Sequence, residues 1–364
     1  MENLRPLFPD LPECGVLPHG PAIIAGPCSA ESRGQTLATA EALARGGVRV
    51  FRAGIWKPRT RPGSFEGVGD EALPWLKEVR ETTGMKVLTE VATPEHVASA
   101  VSAGLDGVWI GARTTTNPFA VQDIADALAA LPEMERDRLA VLVKNPVNPD
   151  LELWIGALQR LYRAGVRRLG AIHRGFSYYA PGPSDYRNAP YWRIPIELHR
   201  RFPSLPLFFD PSHTAGVRRY VGPLSAQALE MCFDGLIVEV HCNPDAALSD
   251  AAQQLTPDDF LKMAGELRKS AEAPAEASLS ILRDEIDALD KELLEVLSRR
   301  MDVSRRIGEL KRKQGLAVVQ PSRYARLIDE RTARAETLGL PAEFVRGIFS
   351  AIHEESVRRQ LPEK

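Results

Sequence analysis

The 364-residue sequence lacks the features that mark several broad classes of protein. Its four cysteines, at positions 14, 28, 232 and 242, are too few and too scattered for a disulfide framework. No apolar run approaches the roughly 18 residues of a membrane span, and the acidic, proline-containing N-terminus does not resemble a signal peptide. The net charge of −2 excludes the sustained basic face of a non-specific nucleic-acid binder. These absences predict a cytoplasmic protein with no nucleic-acid or membrane partner.

What the sequence does have is a regular succession of eight short apolar runs, each of which ends at a polar or charged residue. The runs cover residues 22–26, 48–51, 87–89, 108–111, 141–143, 169–172, 205–209 and 236–238. Amphipathic helical stretches, such as residues 35–45 and 94–103, separate them. This alternation predicts an α/β fold of parallel strands joined by crossover helices. Because candidate residues end all eight strands, a closed (β/α)8 TIM barrel is favoured over an open sheet with one switch point.

The pattern changes after residue 269, and the sequence predicts two domains. They are a barrel over residues 1–269, a polar, proline-containing linker over 270–278 and an all-α unit over 279–364. Helical spacing in the last unit predicts three helices, over residues 279 to about 314, 322–336 and 341 to about 360. Three helices, one of them very long, cannot bury their apolar faces in so small a unit. We therefore expect this three-helix domain to dimerise, which makes the protein a homodimer.

Four residues are potential metal ligands, and three of them lie at or just beyond the ends of the first, seventh and eighth runs, which closure of a barrel makes neighbours. The four are Cys28, His213, Glu239 and Asp250. A thiolate, an imidazole and carboxylates together suit a divalent first-row metal such as Mn²⁺, Fe²⁺, Co²⁺ or Zn²⁺. One such residue alone is more often an ordinary buried side chain, but the set at adjoining strand ends predicts a metal site.

The strand ends also concentrate cations in a chain that is nearly neutral overall. They are Arg52, Lys57, Arg59, Arg113, Lys144 and Arg174. Such charges are often solvated loop residues, but six at successive strand ends would focus the field on a small polyanion. Arginine forks bind phosphate and carboxylate oxygens bidentately, and the number of cations indicates two phosphorylated ligands. The loop of residues 51–65 has the composition of a phosphate clamp and lacks the GxxxxGK[ST] motif of an NTPase.

Seven motifs in the barrel region carry a resemblance to a known family. They are AGPCSAES (residues 25–32), FRAGIWKPRT (51–60), IGARTT (110–115), VLVKNP (141–146), HRG (173–175), DPSHT (210–214) and LIVEVHCNPDAALSD (236–250). Over residues 20–265 the chain resembles 3-deoxy-D-arabino-heptulosonate 7-phosphate (DAHP) synthases of the compact type Iβ kind. The resemblance implies the condensation of phosphoenolpyruvate with erythrose 4-phosphate, the first step of the shikimate pathway.

The resemblance also implies roles for individual residues. Cys28, His213, Glu239 and Asp250 correspond to the metal ligands. The phosphoenolpyruvate site corresponds to Arg113, Lys144 and Arg174, with Arg52 and Lys57 beside it, and the erythrose 4-phosphate clamp to Arg59 and Thr60. Lys57 and either His213 or a metal-bound water are candidate proton carriers.

Two rival activities remain open for the barrel. A related synthase that uses arabinose 5-phosphate has a different sequence at the KPRT segment, residues 57–60. A Schiff-base aldolase using Lys144 would leave the four-ligand set unexplained.

The helical region contains a second set of candidate residues. Arg300 and Lys311 are 11 residues apart on the long helix and face the same way to within about 20°, whereas Arg283 points about 100° away and would reach the pocket of a second copy. The segments LRDEIDALDKELLEVLSRR (282–300), GELK (308–311) and HEESVRRQ (353–360) resemble the all-helical chorismate mutases. The resemblance implies that Arg300 and the partner's Arg283 bind the carboxylates of chorismate. It also implies that Lys311 and Gln360 contact the ether oxygen, and that Arg323 and Ser356 support the substrate.

The rearrangement of chorismate to prephenate needs no acid, base or nucleophile, only a held conformer and electrostatic stabilisation. The chain departs from the mutase pattern where the family has Asp and then Arg-Glu, because it has Gln320, Arg323 and Tyr324. Tyr324 or Gln320 would then replace the missing glutamate, which accepts the substrate hydroxyl. The domain is therefore either a working mutase or a sensor of chorismate or prephenate. Only residues 1–21 precede the first run, so we expect regulation of the synthase by these ligands to come from the helical domain.

Overall fold

The computed structural model describes residues 22–57, 63, 65–178, 186–231, 233–271 and 279–361. Arg59 and Thr60, and the side chain of Arg283, lie outside this described part of the chain. The chain divides into two compact units, with the boundary between residues 272 and 273. Each unit is described by itself below.

The first unit contains eight parallel strands that close into a barrel in sequence order, β1 to β8. The strands are β1 (Ala22–Gly26), β2 (Val50–Arg52), β3 (Lys86–Val91), β4 (Gly107–Ile110), β5 (Ala140–Lys144), β6 (Leu169–His173), β7 (Leu207–Phe209) and β8 (Gly235–Glu239). Closure is made by β1 and β8, which pair over five residues from Ala22 opposite Gly235 to Gly26 opposite Glu239. Each predicted apolar run overlaps one strand, and the predicted TIM barrel is confirmed.

Apolar side chains fill the inside of the barrel, so its interior is a packed core and not a pore. They are Ala22, Ile24, Val50, Leu88, Trp109, Ala140, Leu142, Ile172, Phe208 and Ile237. Glycine is required where the strands approach most closely, because a Cβ on Gly235 would lie 2.2 Å from the carbonyl oxygen of Ala22. A second and larger apolar layer lies between the strands and the surrounding helices.

Helices cover the outside of the barrel and return the chain from one strand to the next. They are α1 (Arg33–Arg45), α2 (Leu73–Thr83), α3 (Pro94–Ser102), α4 (Ala112–Thr115), α5 (Pro118–Ala129), α6 (Glu133–Arg138), α7 (Leu151–Arg163), α8 (Arg193–Arg201), α9 (Pro211–Ala215), α10 (Val221–Glu230) and α11 (Pro257–Ala271). Side chains before several helices satisfy their first backbone N–H groups, as Ser32 does for α1 and Asp150 for α7. Helix α11 continues two residues into the predicted linker.

The second unit consists of three helices, α12 (Leu279–Lys313), α13 (Pro321–Glu336) and α14 (Ala342–Gln360). Helix α12 ends at Lys313, and Gly315 follows with a φ of +64°, which suits glycine. The N–H of Leu316 donates to the carbonyl of Lys311. Proline at the first position starts α13. Helix α14 packs against both other helices. None of the helices in the described ranges combines the length and apolar character needed to cross a membrane.

One face of α12 carries a row of apolar residues, here called the α12 stripe, that are 41–58% exposed in the single chain. They are Ile286, Leu289, Leu293, Val296, Val303, Ile307 and Leu310. Successive members are three or four residues apart, except that Arg300 occupies the position between Val296 and Val303. This 3-4 spacing is the heptad pattern of helices that pack along their length against another helix.

Candidate functional site

Four predicted metal ligands meet at the C-terminal end of the barrel. Cys28 follows β1, Glu239 ends β8, Asp250 lies in the loop after β8, and His213 is in α9, directly after β7. The ligand atoms of Cys28, Glu239 and Asp250 all lie within 4.8 Å of one another. His213 Nε2 is 3.6 Å from Glu239 Oε1 and 4.0 Å from Asp250 Oδ2. Sulfur, nitrogen and oxygen donors from three adjoining strand ends therefore face one point.

The charges of this cluster fit a divalent cation. Burial, reinforced by Glu239, raises the pKa of the Cys28 thiol to about 12. Burial would also raise the pKa of Glu239 and Asp250, but His213 and the neighbouring arginines hold both below their usual values. Two carboxylates and a thiol brought together out of water repel one another once ionised, and a bound cation relieves that repulsion. The mixed donor set suits a first-row transition metal.

Asp210 orients the imidazole of this set. Its Oδ2 lies 2.8 Å from His213 Nδ1, so that Nε2 faces the two carboxylates. Such a carboxylate–histidine pair commonly fixes the ring of a metal-ligating histidine. Burial lowers the pKa of His213 although Asp210 opposes this, and the neutral imidazole that results is the form that binds metals.

Arg52 is fully buried and contacts two of the ligand residues. Its Nη1 donates to Glu239 Oε1 at 3.1 Å, and its Nη2 donates to the carbonyl of Cys28 at 3.0 Å. The guanidinium also lies over the Trp109 ring, 4.7 Å from its centroid. Arg52 was predicted to lie beside the phosphoenolpyruvate site, and the structure brings it against Glu239 and Cys28.

Lys57 reaches the same cluster from the loop after β2. Its Nζ donates to Cys28 Sγ at 3.1 Å. Gly54 makes room for this side chain, because a Cβ there would lie 2.5 Å from Lys57 Cε. Burial opposes the charge of Lys57, but Cys28 and Glu90 together hold its pKa above the usual value. Lys57 is therefore a buried ammonium beside the predicted metal ligands.

A cavity of about 610 Å³ opens beside the ligand cluster, a size suited to small molecules. Five of its lining residues are cations, and two are acidic. The cations are Lys57, Arg113, Lys144, Arg174 and Arg187, and the acids are Glu90 and Asp250. His213 also lines the cavity, so it belongs both to the set of predicted metal ligands and to the surface that carries the cations. The cationic excess fits anionic ligands.

Side chains that were absent from the sequence prediction hold the cations in place. Arg174 donates from Nη1 to Asn188 Oδ1 at 2.9 Å, and its backbone N–H donates to Asn145 Oδ1 at 2.7 Å. Asn188 also donates to the carbonyl of His213 at 2.6 Å, which links Arg174 to this predicted metal ligand. Burial lowers the pKa of Arg174 to about 10, so the guanidinium remains charged near neutral pH.

Arg187 is a further cation that sequence reasoning missed. Its Nη1 donates to Asp250 Oδ1 at 2.9 Å and to Gln253 Oε1 at 3.0 Å. Gln253 in turn donates to Glu239 Oε2 at 2.7 Å. Asn145 directly follows Lys144 and could have been found from its motif, whereas Asp210 ends the seventh apolar run and was a candidate without an assigned role. Arg187 and Asn188 lie far from any apolar run.

The histidine of the HRG motif lies outside this site. His173 is fully buried, and its ring contacts the rings of Trp154, Phe176, Trp192, Phe209 and Phe233. Its Nε2 lies 2.6 Å from the carbonyl oxygen of Pro190. Burial lowers its pKa to about 3, so His173 is neutral and belongs to the core.

In the helical unit, four of the predicted chorismate residues form two pairs between α12 and α14. Arg300 Nη1 donates to Ser356 Oγ. Lys311 Nζ donates to Gln360 Oε1 at 3.0 Å and to the carbonyl of Val318 at 2.7 Å. Burial, with a contribution from Arg331, lowers the pKa of Arg300. Arg323 is exposed in the first turn of α13.

Tyr324, a candidate replacement for the missing glutamate, packs against α14. Its ring lies against that of His353 with the centroids 4.2 Å apart and the planes tilted by 31°, and its hydroxyl lies 3.1 Å from Ser350 Oγ. Burial, followed by the charges of Arg300 and Lys311, lowers the pKa of His353. His353 therefore lies within the field of both cations, and Tyr324 borders the same surface. Gln320, the other candidate, is exposed before α13.

Comparisons with known proteins divide the chain in the same way. Residues 19–274 match the model of the DAHP synthetase I family, and residues 282–361 match that of chorismate mutase type II. A phospho-2-dehydro-3-deoxyheptonate aldolase of Thermotoga maritima is 33% identical over 251 residues, which are 69% of this chain and 70% of the relative. A 2-dehydro-3-deoxyphosphooctonate aldolase of Rhodopseudomonas palustris is 28% identical over 258 residues, 66% of this chain and 84% of the relative.

The solved structures agree. The crystal structure of the Thermotoga maritima DAHP synthase superimposes with a TM-score of 0.60 at 31% identity, covering 69% of this chain and 68% of that one. A truncated form of the Thermotoga maritima enzyme gives a TM-score of 0.58 at 29% identity, covering 69% and 86%. On these matches, and on the barrel site described above, the chain belongs to the DAHP synthetase I family and carries a C-terminal chorismate mutase type II domain.

Proposed function

We propose that the barrel condenses phosphoenolpyruvate with erythrose 4-phosphate to give DAHP and phosphate, with the help of a divalent metal ion, in the cytoplasm. One observation carries the proposal: five cations line a single cavity at the C-terminal end of the barrel, and His213 and Asp250, two members of the four-ligand cluster, line the same cavity. A reaction between a phosphorylated enol and a phosphorylated aldehyde needs both the cations and a site for a metal ion. Cations bind the two anions, and the reacting carbonyl needs an electrophilic partner.

The cations have separate tasks in this reaction. Arg174, fixed by Asn188 and Asn145, and Lys144, fixed by Asp210, are held rigidly enough to orient the phosphate and carboxylate of phosphoenolpyruvate. Arg113 extends this surface along the same cavity. Arg59 and Thr60, which lie outside the described residues, are proposed to hold the phosphate of erythrose 4-phosphate.

The chemistry forms one carbon–carbon bond and replaces the bond from C2 to the phosphate oxygen by a bond from C2 to the oxygen of water. The enol carbon of phosphoenolpyruvate attacks the aldehyde carbon, water adds to C2, and phosphate leaves. Cys28, His213, Glu239 and Asp250 would hold the divalent ion, which supplies Lewis acidity toward the aldehyde oxygen when bound. The Lys57 ammonium, 3.1 Å from Cys28 Sγ, holds a proton at this point and can donate it to the oxygen that becomes an alcohol.

The barrel proposal is tested with purified full-length protein, phosphoenolpyruvate and either erythrose 4-phosphate or arabinose 5-phosphate. We expect phosphate release with erythrose 4-phosphate, loss of activity after chelation and recovery with Mn²⁺. Cys28→Ser should abolish this recovery, whereas Cys242→Ser, a change at an exposed cysteine, should not. Faster turnover of arabinose 5-phosphate would favour the rival synthase, and full activity after chelation would refute metal dependence.

For the helical unit we propose conversion of chorismate to prephenate by a homodimer, with chorismate or prephenate also inhibiting the synthase. The paired contacts of Arg300 with Ser356 and of Lys311 with Gln360 support one polar site on α12 and α14. The exposed α12 stripe supports pairing with a second copy, which would bring in the partner's Arg283. The alternative is a sensor that binds these ligands without turnover.

Chorismate consumption by the full-length protein, compared with Arg300→Ala, separates the two alternatives. Turnover that is lost in the variant would establish a mutase in which Tyr324 and Gln320 are tolerated. Prephenate binding without turnover would make the domain a sensor. Equal turnover in both proteins would refute the assignment of Arg300 to the site.

A further inference from the structure

Asp250 has an unusual backbone. Its φ is +49°, and Tyr191 is the only other non-glycine residue in the described ranges with a positive φ. This left-handed conformation costs free energy for residues with a side chain, although aspartate tolerates it better than most. Such a conformation persists only where the surroundings fix the chain around it. The contacts that hold the loop after β8 therefore determine the position of Asp250.

Arg218 binds the chain on the C-terminal side of Asp250. Its Nε donates to the carbonyl of Gln254 at 2.7 Å, and its Nη2 donates to the carbonyl of Ala251 at 2.8 Å. The backbone N–H of Arg218 donates to the carbonyl of Ala252 at 3.0 Å. Three carbonyls in the four residues after Asp250 therefore accept hydrogen bonds from one arginine. Nη2 also contacts Asp245 Oδ1 at 2.6 Å, on the N-terminal side of Asp250.

The position of Arg218 in the chain shows which two segments these contacts connect. It lies in the short 3-10 turn, Arg218–Tyr220, that follows α9, and α9 carries His213. Arg218 therefore joins the segment that carries His213 to the loop that carries Asp250. The described lining of the cavity does not include Arg218, so its contacts with the loop are its part in the site.

We propose that Arg218 is a positioning residue that fixes Asp250 relative to His213 and thereby sets the affinity of the barrel for its divalent metal. This inference rests on the proposed metal site. A planar guanidinium can bridge several carbonyls at once, which an ammonium cannot do with the same geometry. Partners of metal ligands typically contribute about 10- to 100-fold to metal affinity.

The test is Mn²⁺ binding to the metal-stripped full-length protein, followed through the electron paramagnetic resonance signal of free Mn²⁺. We expect Arg218→Met to weaken binding at least about 10-fold and Arg218→Lys to weaken it less. The matched control is Arg219→Met, because Arg219 is exposed, lies over the Tyr220 ring and makes no hydrogen bond or ion pair with the loop among the described residues. At saturating Mn²⁺, kcat of Arg218→Met should return to within about twofold of the parent, because the cation restores the position of Asp250.

Parental Mn²⁺ affinity in folded Arg218→Met would overturn the inference, as would a loss of kcat that excess Mn²⁺ does not restore. If Arg218→Met unfolds, Arg218→Lys decides the question, and parental affinity in that variant overturns it. Cys28→Ser reports on the metal site itself. If the parent binds no Mn²⁺, or Cys28→Ser binds it equally well, the proposed metal site fails and the inference fails with it. A normal response of Cys28→Ser with no response of Arg218 variants refutes only the role of Arg218.

Discussion

Asp210 shows how one buried carboxylate can organise two functional groups. Its Oδ2 lies 2.8 Å from Lys144 Nζ and 2.8 Å from His213 Nδ1, and the pKa of Asp210 is lowered well below its usual value by both neighbours, against the effect of burial. The same carboxylate thus holds a proposed phosphoenolpyruvate ligand and a proposed metal ligand. Any displacement of Asp210 would therefore disturb the positions of both Lys144 and His213.

The neutral His173 predicts a dependence of stability on pH. Its pKa is about 3 in the folded protein and about 6.5 when exposed, so between these values the unfolded state binds the extra proton. The free energy of unfolding should therefore fall as the pH falls below about 6.5, by about 1.4 kcal/mol per pH unit from this residue. Above pH 6.5 this contribution is fully retained.

The measurement is urea unfolding of the parent and His173→Gln, followed by tryptophan fluorescence between pH 7 and pH 4.5. Other titrating groups act in both proteins, so the difference in slope isolates His173. We expect the variant to be less stable at pH 7 and to lose stability less steeply on acidification. Parallel curves would show that His173 does not titrate with unfolding in this range.

At the scale of single residues, the sequence predicts which strand ends carry chemistry and not how their side chains are used. Arg52 and Lys144 both end strands, yet one is fully buried against Glu239 and the other faces the cavity. Inward or outward direction depends on the register of neighbouring strands, which no single run contains. Arg187 was missed because it lies in the long connection between β6 and α8, where neither periodicity nor a strand end marks it.

At the scale of elements, helices α12 and α14 approach closely where the proposed chorismate residues lie. Gly308 permits this approach, because a Cβ there would lie 2.6 Å from the Cα and 2.8 Å from the carbonyl oxygen of Gln360. The contact is with backbone and cannot be relieved by a rotamer change. Arg312 Nη1 donates to the same carbonyl at 2.8 Å. The distance between α12 and α14 at Gly308 therefore determines the position of Gln360.

We expect Gly308→Ala to push α14 away from α12 and to separate Gln360 from Lys311. Chorismate turnover, or chorismate binding if the domain is a sensor, should fall by about 10- to 100-fold, because a misplacement of about 1 Å can cost up to about 100-fold. The rate of DAHP formation should not change. Gly347→Ala is the matched control, since no atom lies within 4 Å of its added Cβ and alanine favours the helix by about 1 kcal/mol. Parental activity in Gly308→Ala would show that the helices adjust without cost.

The elements themselves were largely predictable. The long helix was expected to start at residue 279 and to end near residue 314, and α12 spans Leu279–Lys313. Helical spacing of the apolar residues carries this information locally. The short runs at β2 and β7 were predicted too long, at residues 48–51 and 205–209, because buried apolar residues also precede these strands. A buried loop end and a buried strand have the same composition.

At the scale of the whole molecule, the α12 stripe predicts a dimer. We expect Leu293→Glu to convert a dimer to a monomer in size-exclusion chromatography with light scattering, because a charge would be buried in the pairing face. Lys291→Glu is the matched control: it places the same residue on the same helix, about 160° around the helix from Leu293. If Leu293→Glu retains the parental mass, the stripe is not the surface of association.

Regulation is the second prediction at this scale. Saturating prephenate should lower the rate of DAHP formation by the parent, and Arg300→Ala should abolish that inhibition, because the helical site can no longer bind its dianionic ligand tightly. Arg299→Ala, at the exposed neighbouring position, should remain inhibited. Inhibition that persists in Arg300→Ala would place the regulatory site on the barrel, and a parent insensitive to both prephenate and chorismate would refute feedback altogether.

The place of Arg300 within the α12 stripe has one more consequence. The barrel site is built from one chain, whereas a site centred on Arg300 lies on the face that two chains are proposed to share. Dilution would then leave the rate of DAHP formation per molecule unchanged, while chorismate turnover per molecule would decline as dimers dissociate. The amount of enzyme in a cell would set the balance between its two activities, without any change in substrate.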